Sequence, residues 1–407
     1  MFTRARAYVR LSLLVCCLAA SVAAQELTER QALQLLRESP YHRELQARVA
    51  VARAKTRRAT LYPNPSVSAS FEGTGRTDFY LFEQPLAVNG RLGLLRRAGE
   101  SAIAVAQAGA GHALRQIEAR LRDVFHQLAY AQKRKRTIRD SIGELEELVR
   151  ILREREKAGE GSKFDRLRAE REIVERETEF ADAEALIAES RARLAGFLGQ
   201  RIHTQNLTAA GTLAPEYALP NLQDALAEAL AARGDYQVEK ERLEQARLEG
   251  EAADRVRIPN PVISGGLKRE AIGDRYRSGP VVGVSIDLPL FNQGQADKEL
   301  AEAEAGRTRA RRGILENRIL AGVRAAHDSL RLRREIAADY QARSGRRAEE
   351  LREIAEIAYQ EGELGILELL DSYRVAQRAK LRLLELQMTA KLAEVEFDRT
   401  VAKELLP

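Results

Sequence analysis

Apolar and polar positions follow two periods along this chain, and the switch between them happens twice. From 27 to 61, apolar and small residues recur at helical spacing, at Leu35, Leu45, Val49, Ala52 and Leu61, which predicts a helix. Thr28 stands where an N-cap belongs, with Glu29 and Gln31 in the first turn. Pro63 ends the helix, because proline pushes the residue before it out of the α region. The period then drops to two. Val67, Ala69 and Phe71 alternate with Ser66, Ser68, Ser70 and Glu72. After a turn at Gly73-Thr74-Gly75, Phe79 and Leu81 alternate with Asp78, Tyr80 and Phe82. A strand hairpin is predicted over 65–86. Beyond Asn89-Gly90 the helical period returns over 92–157, with Ile142, Leu145, Val149 and Leu152 as a seam and no proline inside. About 65 helical residues reach roughly 100 Å. A turn at 158–162 leads into a return helix over 163–198, whose seam includes Ala181, Ala185 and Ala188, small enough for close approach.

The same order then recurs. Gly211, Pro215 and Pro220 punctuate a linker over 200–220. A helix over 222–257 stops at Pro259, a second hairpin occupies 261–290, a long helix 295–359 and a return helix 366–405. In the hairpin, Val282, Val284, Ile286 and Leu288 alternate with Gly283, Ser285 and Asp287, and the charged segment 268–277 reads as a solvated loop. The Pro-Asn-Pro stops lie 259 − 63 = 196 positions apart, the Pro-Leu pairs after the strands 289 − 85 = 204, and the tip glycines 362 − 159 = 203. The chain is a duplicated unit, 25–199 and 221–407.

Composition agrees with this helical reading. Charged residues are 31%, aromatics 5%, and Trp is absent, which suits long helices with narrow seams. The first 24 residues have the form of a secretory signal: Arg4, Arg6 and Arg10, an apolar run from 11 to 20, and Val22-Ala23-Ala24 before Gln25. Val15 is a poor fit to the small residue that lipidation at Cys16 would want. Removal of this segment would leave no cysteine, excluding disulfides and thiolate chemistry, and would lower the net charge from +6 to 63 − 60 = +3. Arg scattered among Glu does not imply nucleic acid. No later stretch has 18 consecutive apolar residues, so a membrane crossing would need strands. Four strands cannot close a barrel alone, and open edges are not tolerated in lipid.

The duplication, the Pro-Asn-Pro stops, the strand exits Glu83-Gln84-Pro85-Leu86 and Asp287-Leu288-Pro289-Leu290, and the glycine tips resemble the outer-membrane efflux family, the TolC-like channels of tripartite pumps. The run from Phe82 to Arg91 looks most like the cobalt-zinc-cadmium branch. The resemblance implies a mainly α fold with a small β part. Three chains would give a 12-stranded barrel in the outer membrane of a Gram-negative bacterium and a 12-helix α-barrel in the periplasm. It implies as partners a periplasmic adaptor and an inner-membrane pump of the RND type.

It also implies two sites. At the tips, Gly159, Gly161, Ser162, Gly362, Leu364 and Gly365 would meet the adaptor; as bare residues they also read as helix-turn chemistry. At the inner mouth, family members carry two acids three residues apart that gate the entrance, and Glu368 and Asp371 match that spacing. The first repeat has Asp165 and Arg168 there instead. Without the resemblance, Glu368 and Asp371 read as an acidic helix N-terminus favoured by the dipole. His42, His112, His126, His203 and His327 are scattered without metal-ligand spacing, so no metal, cofactor or enzyme activity is expected. The alternative function is a periplasmic coiled-coil adaptor or scaffold without a pore.

Overall fold

A computed structural model of the chain describes residues 25–73, 76–199 and 206–403. The expected signal segment with Cys16 and Cys17, the turn residues Thr74 and Gly75, and His203 lie outside the described residues. The order is β1 (Gln25–Leu27), α1 (Glu29–Glu38), α2 (Pro40–Ala59), β2 (Ser66–Glu72), β3 (Thr77–Pro85), α3 (Arg91–Lys157), α4 (Lys163–Leu198) and β4 (Leu207–Ala209). The second half follows as α5 (Leu222–Ala232), α6 (Gly234–Asp254), β5 (Pro261–Ile272), β6 (Arg275–Ile286), α7 (Gln295–Tyr340), α8 (Arg346–Gln360) and α9 (Ile366–Val401).

Helix α3 is the axis of the molecule. Its 67 residues run unbroken from the sheet to the tip, about 100 Å at 1.5 Å per residue. It packs against α2 and α6 on the sheet side and against α4 and α9 toward the tip. Two shorter helices thus lie end to end along each long one. Both long helices start from a left-handed glycine, Gly90 (φ +76°) and Gly294 (φ +83°). At Gly294 a Cβ would also stand 2.2 Å from the Ala253 carbonyl oxygen, so only glycine fits.

Four places depart from the sequence reading. The helix expected over 27–61 is broken: Ser39 is extended (φ −73°, ψ 165°) and Pro40 starts a new helix, where its missing N–H costs nothing. Its counterpart over 222–257 breaks at Arg233, where Gly234 lies so close to α3 that a Cβ would stand 2.5 Å from Ala108 O. The second long helix is interrupted by a π turn, Gln341–Gly345. The charged segment 268–277 is not a loop. Its residues extend β5 and β6, which turn at Gly273 (φ +62°). Lys268 pairs with Glu270 at 3.2 Å, and Arg269 stacks on Tyr276 at 3.9 Å, which lets a charged sequence hold strand geometry.

Three apolar clusters hold the helices together. One joins α1, α3 and α4 to the small parallel pair β1–β4 through Leu36, Leu121, Phe125, Leu128, Leu194 and Leu207. Its repeat mate joins α5, α7 and α9 through Leu226, Ile319, Val323, Leu330 and Phe397. The third lies at the tips. Among the described residues, no helix is long and apolar enough to cross a membrane.

Candidate functional site: paired tips and an open-edged sheet

The four long strands form one antiparallel sheet in the order β2-β3-β5-β6. Its register sorts the side chains by face. Val67 lies opposite Phe82, Phe82 opposite Gly265 and Gly265 opposite Val282. Ala69, Tyr80, Leu267 and Pro280 form the next row, and Ile263 pairs with Val284. This face is apolar and exposed, with Val67 and Val282 each 82% exposed. Ser66, Ser68, Ser70, Ser264 and Lys268 occupy the other face. A soluble sheet buries its apolar face; here it is the apolar face that stands open. The outer edges of β2 and β6 are unpaired within the chain.

Where β3 leaves the sheet for α3, a clasp ties the two repeats together. Asn260 Oδ1 accepts from the N–H groups of Val88 (3.1 Å) and Asn89 (3.2 Å). Asn89 Nδ2 donates in turn to the carbonyls of Arg255 (3.2 Å) and Ile258 (3.1 Å). The Pro-Asn-Pro stop of one repeat therefore holds the exit strand of the other.

The far end carries the two tips. In the first, Gly159 is left-handed (φ +78°), Glu160 N donates to Arg155 O at 2.9 Å, and Ser162 caps α4 by accepting from Phe164 N at 3.0 Å. Gly161 abuts the α3 end so closely that a Cβ would lie 2.9 Å from Glu156 N. In the second, Gly362 is left-handed (φ +76°) and Glu363 N donates to Ala358 O at 2.8 Å. Leu364 packs on the cluster that joins the hairpins, and Gly365 caps α9 in extended conformation (φ −86°, ψ 170°). That cluster buries Leu145, Leu148, Leu152, Leu369, Leu370 and Tyr373.

The four residues expected at a mouth separate into two settings. Asp165 is turned to the second hairpin and accepts from Tyr359 Oη at 3.1 Å; burial and this carboxylate push the Tyr359 phenol up to about 12. Arg168 is exposed and stands over the Phe164 ring at 5.7 Å. Glu368 and Asp371 are both exposed in the first turns of α9, with Arg374 in reach of Asp371. Arg374 also donates to Glu172 at 2.6 Å and joins α9 to α4. Burial would raise the Glu172 carboxyl, but Arg374 and Arg176 hold it below the usual range.

Sequence reasoning missed a buried ionic cluster midway along the body. Arg122 Nη1 donates to Asp398 at 2.8 Å and its Nε to Glu29, while His126 Nε2 lies 3.0 Å from Glu29. Lys391 bridges Glu216 and Glu394 (2.7 Å), Arg334 holds Glu394, and Tyr217 donates to Asp398. Glu29, His126 and Glu216 bring ligand atoms within 4.8 Å of one another, a spacing that could hold a metal ion. Arg122 and Lys391 already neutralise the two carboxylates, so the set reads as an ion-pair network. The partners lie up to 276 positions apart; the one local signal was Arg122 and His126 four apart on an apolar face.

Comparison with known proteins places this geometry. No family model matches the chain. The cobalt-zinc-cadmium resistance protein CzcC of Cupriavidus metallidurans is 26% identical over 365 residues, 85% of this chain and 82% of the relative. The outer-membrane channel OprN superposes with a TM-score of 0.75 at 20% identity, covering 93% of this chain and 91% of OprN. The open-state MtrE outer membrane channel of Neisseria gonorrhoeae gives 0.74 at 17%, covering 92% and 88%. The chain has the TolC-like fold of the outer-membrane efflux channels and resembles that family along nearly all of its length.

Proposed function

We propose that the chain is the outer-membrane duct of a tripartite efflux system. Three copies pool their strands into a 12-stranded barrel and their helices into a periplasmic α-barrel. One observation carries this reading: a four-stranded sheet with two unpaired edges and an exposed apolar face, joined to helices about 100 Å long. Lipid covers such a face, and further strands cover such edges. The Ser-rich face then lines a wet lumen.

The duct is passive. An RND-type inner-membrane pump supplies energy, and an adaptor docks on Gly159, Gly161, Ser162, Gly362, Leu364 and Gly365. Glu368 and Asp371 form anionic rings at the mouth that favour cations, while Asp165 ties the hairpins and Arg168 offsets part of the ring charge. The likeness to a cobalt-zinc-cadmium resistance protein supports divalent heavy-metal cations as cargo. Residues 1–24 direct secretion. Fractionation followed by planar-bilayer recording tests the reading. Outer-membrane recovery with single-channel conductance is expected; a soluble periplasmic protein that forms no pores overturns it.

A further inference from the structure

The ionic cluster midway along the body is not used up by its own ion pairs. Glu29 begins α1, His126 lies inside α3 and Glu216 stands in the linker before α5, so three separate segments converge there. Arg122 meets Glu29 through Oε1, and Lys391 meets Glu216 through Oε1, one oxygen of each carboxylate. Glu29 Oε2 faces His126 Nε2 at 3.0 Å. The imidazole is 1% exposed, yet among the described residues neither ring nitrogen has a well-aligned hydrogen bond. Burying it in that state costs free energy. Phe125 packs edge-on against the ring, centroids 5.4 Å apart, and fixes its plane. The charges are also uneven. Glu29, Glu216, Glu394 and Asp398 supply four negative charges, while Arg122, Lys391 and Arg334 supply three positive ones. Lys403, 3.7 Å from Asp398, lies at the half-exposed edge.

We infer that Glu29, His126 and Glu216 bind one divalent transition-metal ion of the zinc or cobalt class, which pins the start of α1 and the linker to α3. Their ligand atoms lie within 4.8 Å of one another. A cation about 2.1 Å from each needs them roughly 3.4 Å apart, so the side chains close in by about an ångström. Glu216 is exposed on the linker, which gives it room for that movement and leaves the ion a way in. One imidazole and two carboxylates suit zinc and cobalt. Calcium and magnesium want an all-oxygen shell, and cuprous ion wants sulfur. Arg122 and Lys391 are then supports rather than rivals, since each orients a ligating carboxylate and leaves one of its oxygens to the metal. No local spacing announces the set, because its members come from positions 29, 126 and 216. The inference is independent of the duct reading, since it needs only the folded chain.

Calorimetric titration of the detergent-purified full chain, stripped with EDTA, with zinc chloride tests it. One ion per chain should bind, and cobalt chloride should give the visible absorption of a four- or five-coordinate nitrogen–oxygen site. His126→Gln and Glu216→Gln should each weaken zinc binding by more than the about 10–100-fold that loss of a supporting group causes. His42→Gln, on α2 and outside the cluster, should bind zinc as the parent does. Zinc should raise the melting temperature of the parent and of His42→Gln and leave the two ligand variants unmoved, with far-UV circular dichroism showing that each is folded. Glu216 is exposed on the linker, so its variant carries the test if His126→Gln does not fold. Zinc that binds a folded ligand variant as tightly as the parent sits elsewhere and overturns the site. A parent chain that takes up no zinc at millimolar concentration overturns it as well, and the cluster is then an ion-pair network alone. Either failure leaves conductance, and with it the duct reading, untouched.

Discussion

Glu29 shows how much a single residue carries here. Burial would raise its carboxyl, but the His126 hydrogen bond and the charge of Arg122 win and hold it down to about 2 from the usual 4.5. A carboxyl depressed in the folded state stabilises fully above its unfolded value, and that stability drains as pH falls toward 2. At about 1.4 kcal/mol per pH unit, the group contributes on the order of 3 kcal/mol. Urea unfolding of detergent-purified protein should therefore weaken between pH 4.5 and 2, and Glu29→Gln should flatten that slope. Glycine gives a second prediction at this scale. Gly294→Ala meets positive φ and the Ala253 carbonyl and should cost at least about 1–3 kcal/mol. Gly143→Ala, exposed within α3 with open space around its Cβ, should gain about 0.5–1 kcal/mol. Thermal melts of the two variants give opposite signs. Local residue chemistry was legible in the sequence: Thr28 caps α1 in a capping box with Gln31. The Arg122 cluster was not, because no local pattern pairs residues that only the fold brings together.

At the scale of elements, period was a good guide to type and a poor guide to continuity. The switch from period 3.6 to 2 placed both hairpins and both long helices. It could not see that Ser39, Arg233 and the π turn at Gln341–Gly345 break helices whose apolar spacing runs on through the break. Nor did charge at 268–277 forbid a strand, because the Lys268–Glu270 pair along β5 and the cross-strand stacking of Arg269 on Tyr276 satisfied it. The tips separate into positions that hold the turn and positions that face outward. Gly159 and Gly362 need positive φ, whereas Gly365 is extended, and a side chain there meets only the flexible end of Glu368 at 3.0 Å. Gly365→Arg should therefore leave protein level unchanged while abolishing export, read as metal sensitivity of cells carrying the full system. Gly362→Val should instead lower the level itself. At the mouth, Glu368→Ala with Asp371→Ala should raise conductance or reduce cation preference, read as a reversal-potential shift under a salt gradient.

At the scale of the whole molecule, the duplicated order could be read without coordinates, because proline and glycine mark every junction of the repeat. What the sequence could not display was the imbalance between repeats, since burial is a property of the assembled pair. If the proposed duct forms, the exposed Leu351 and Leu167 and the bare strand edges are covered by its other copies, and stability is then tied to assembly. Oligomers resisting detergent should dissociate at lower temperature in Leu351→Ala, with a smaller change in helix content, measured by gel mobility and far-UV circular dichroism. Helix α3 has a further consequence. A rod of 67 unbroken residues neither stretches nor shortens, so it acts as a ruler between the sheet and the tips. In the proposed duct, a wider gap between the inner and outer membranes has to be spanned by whatever protein meets the ruler's free end.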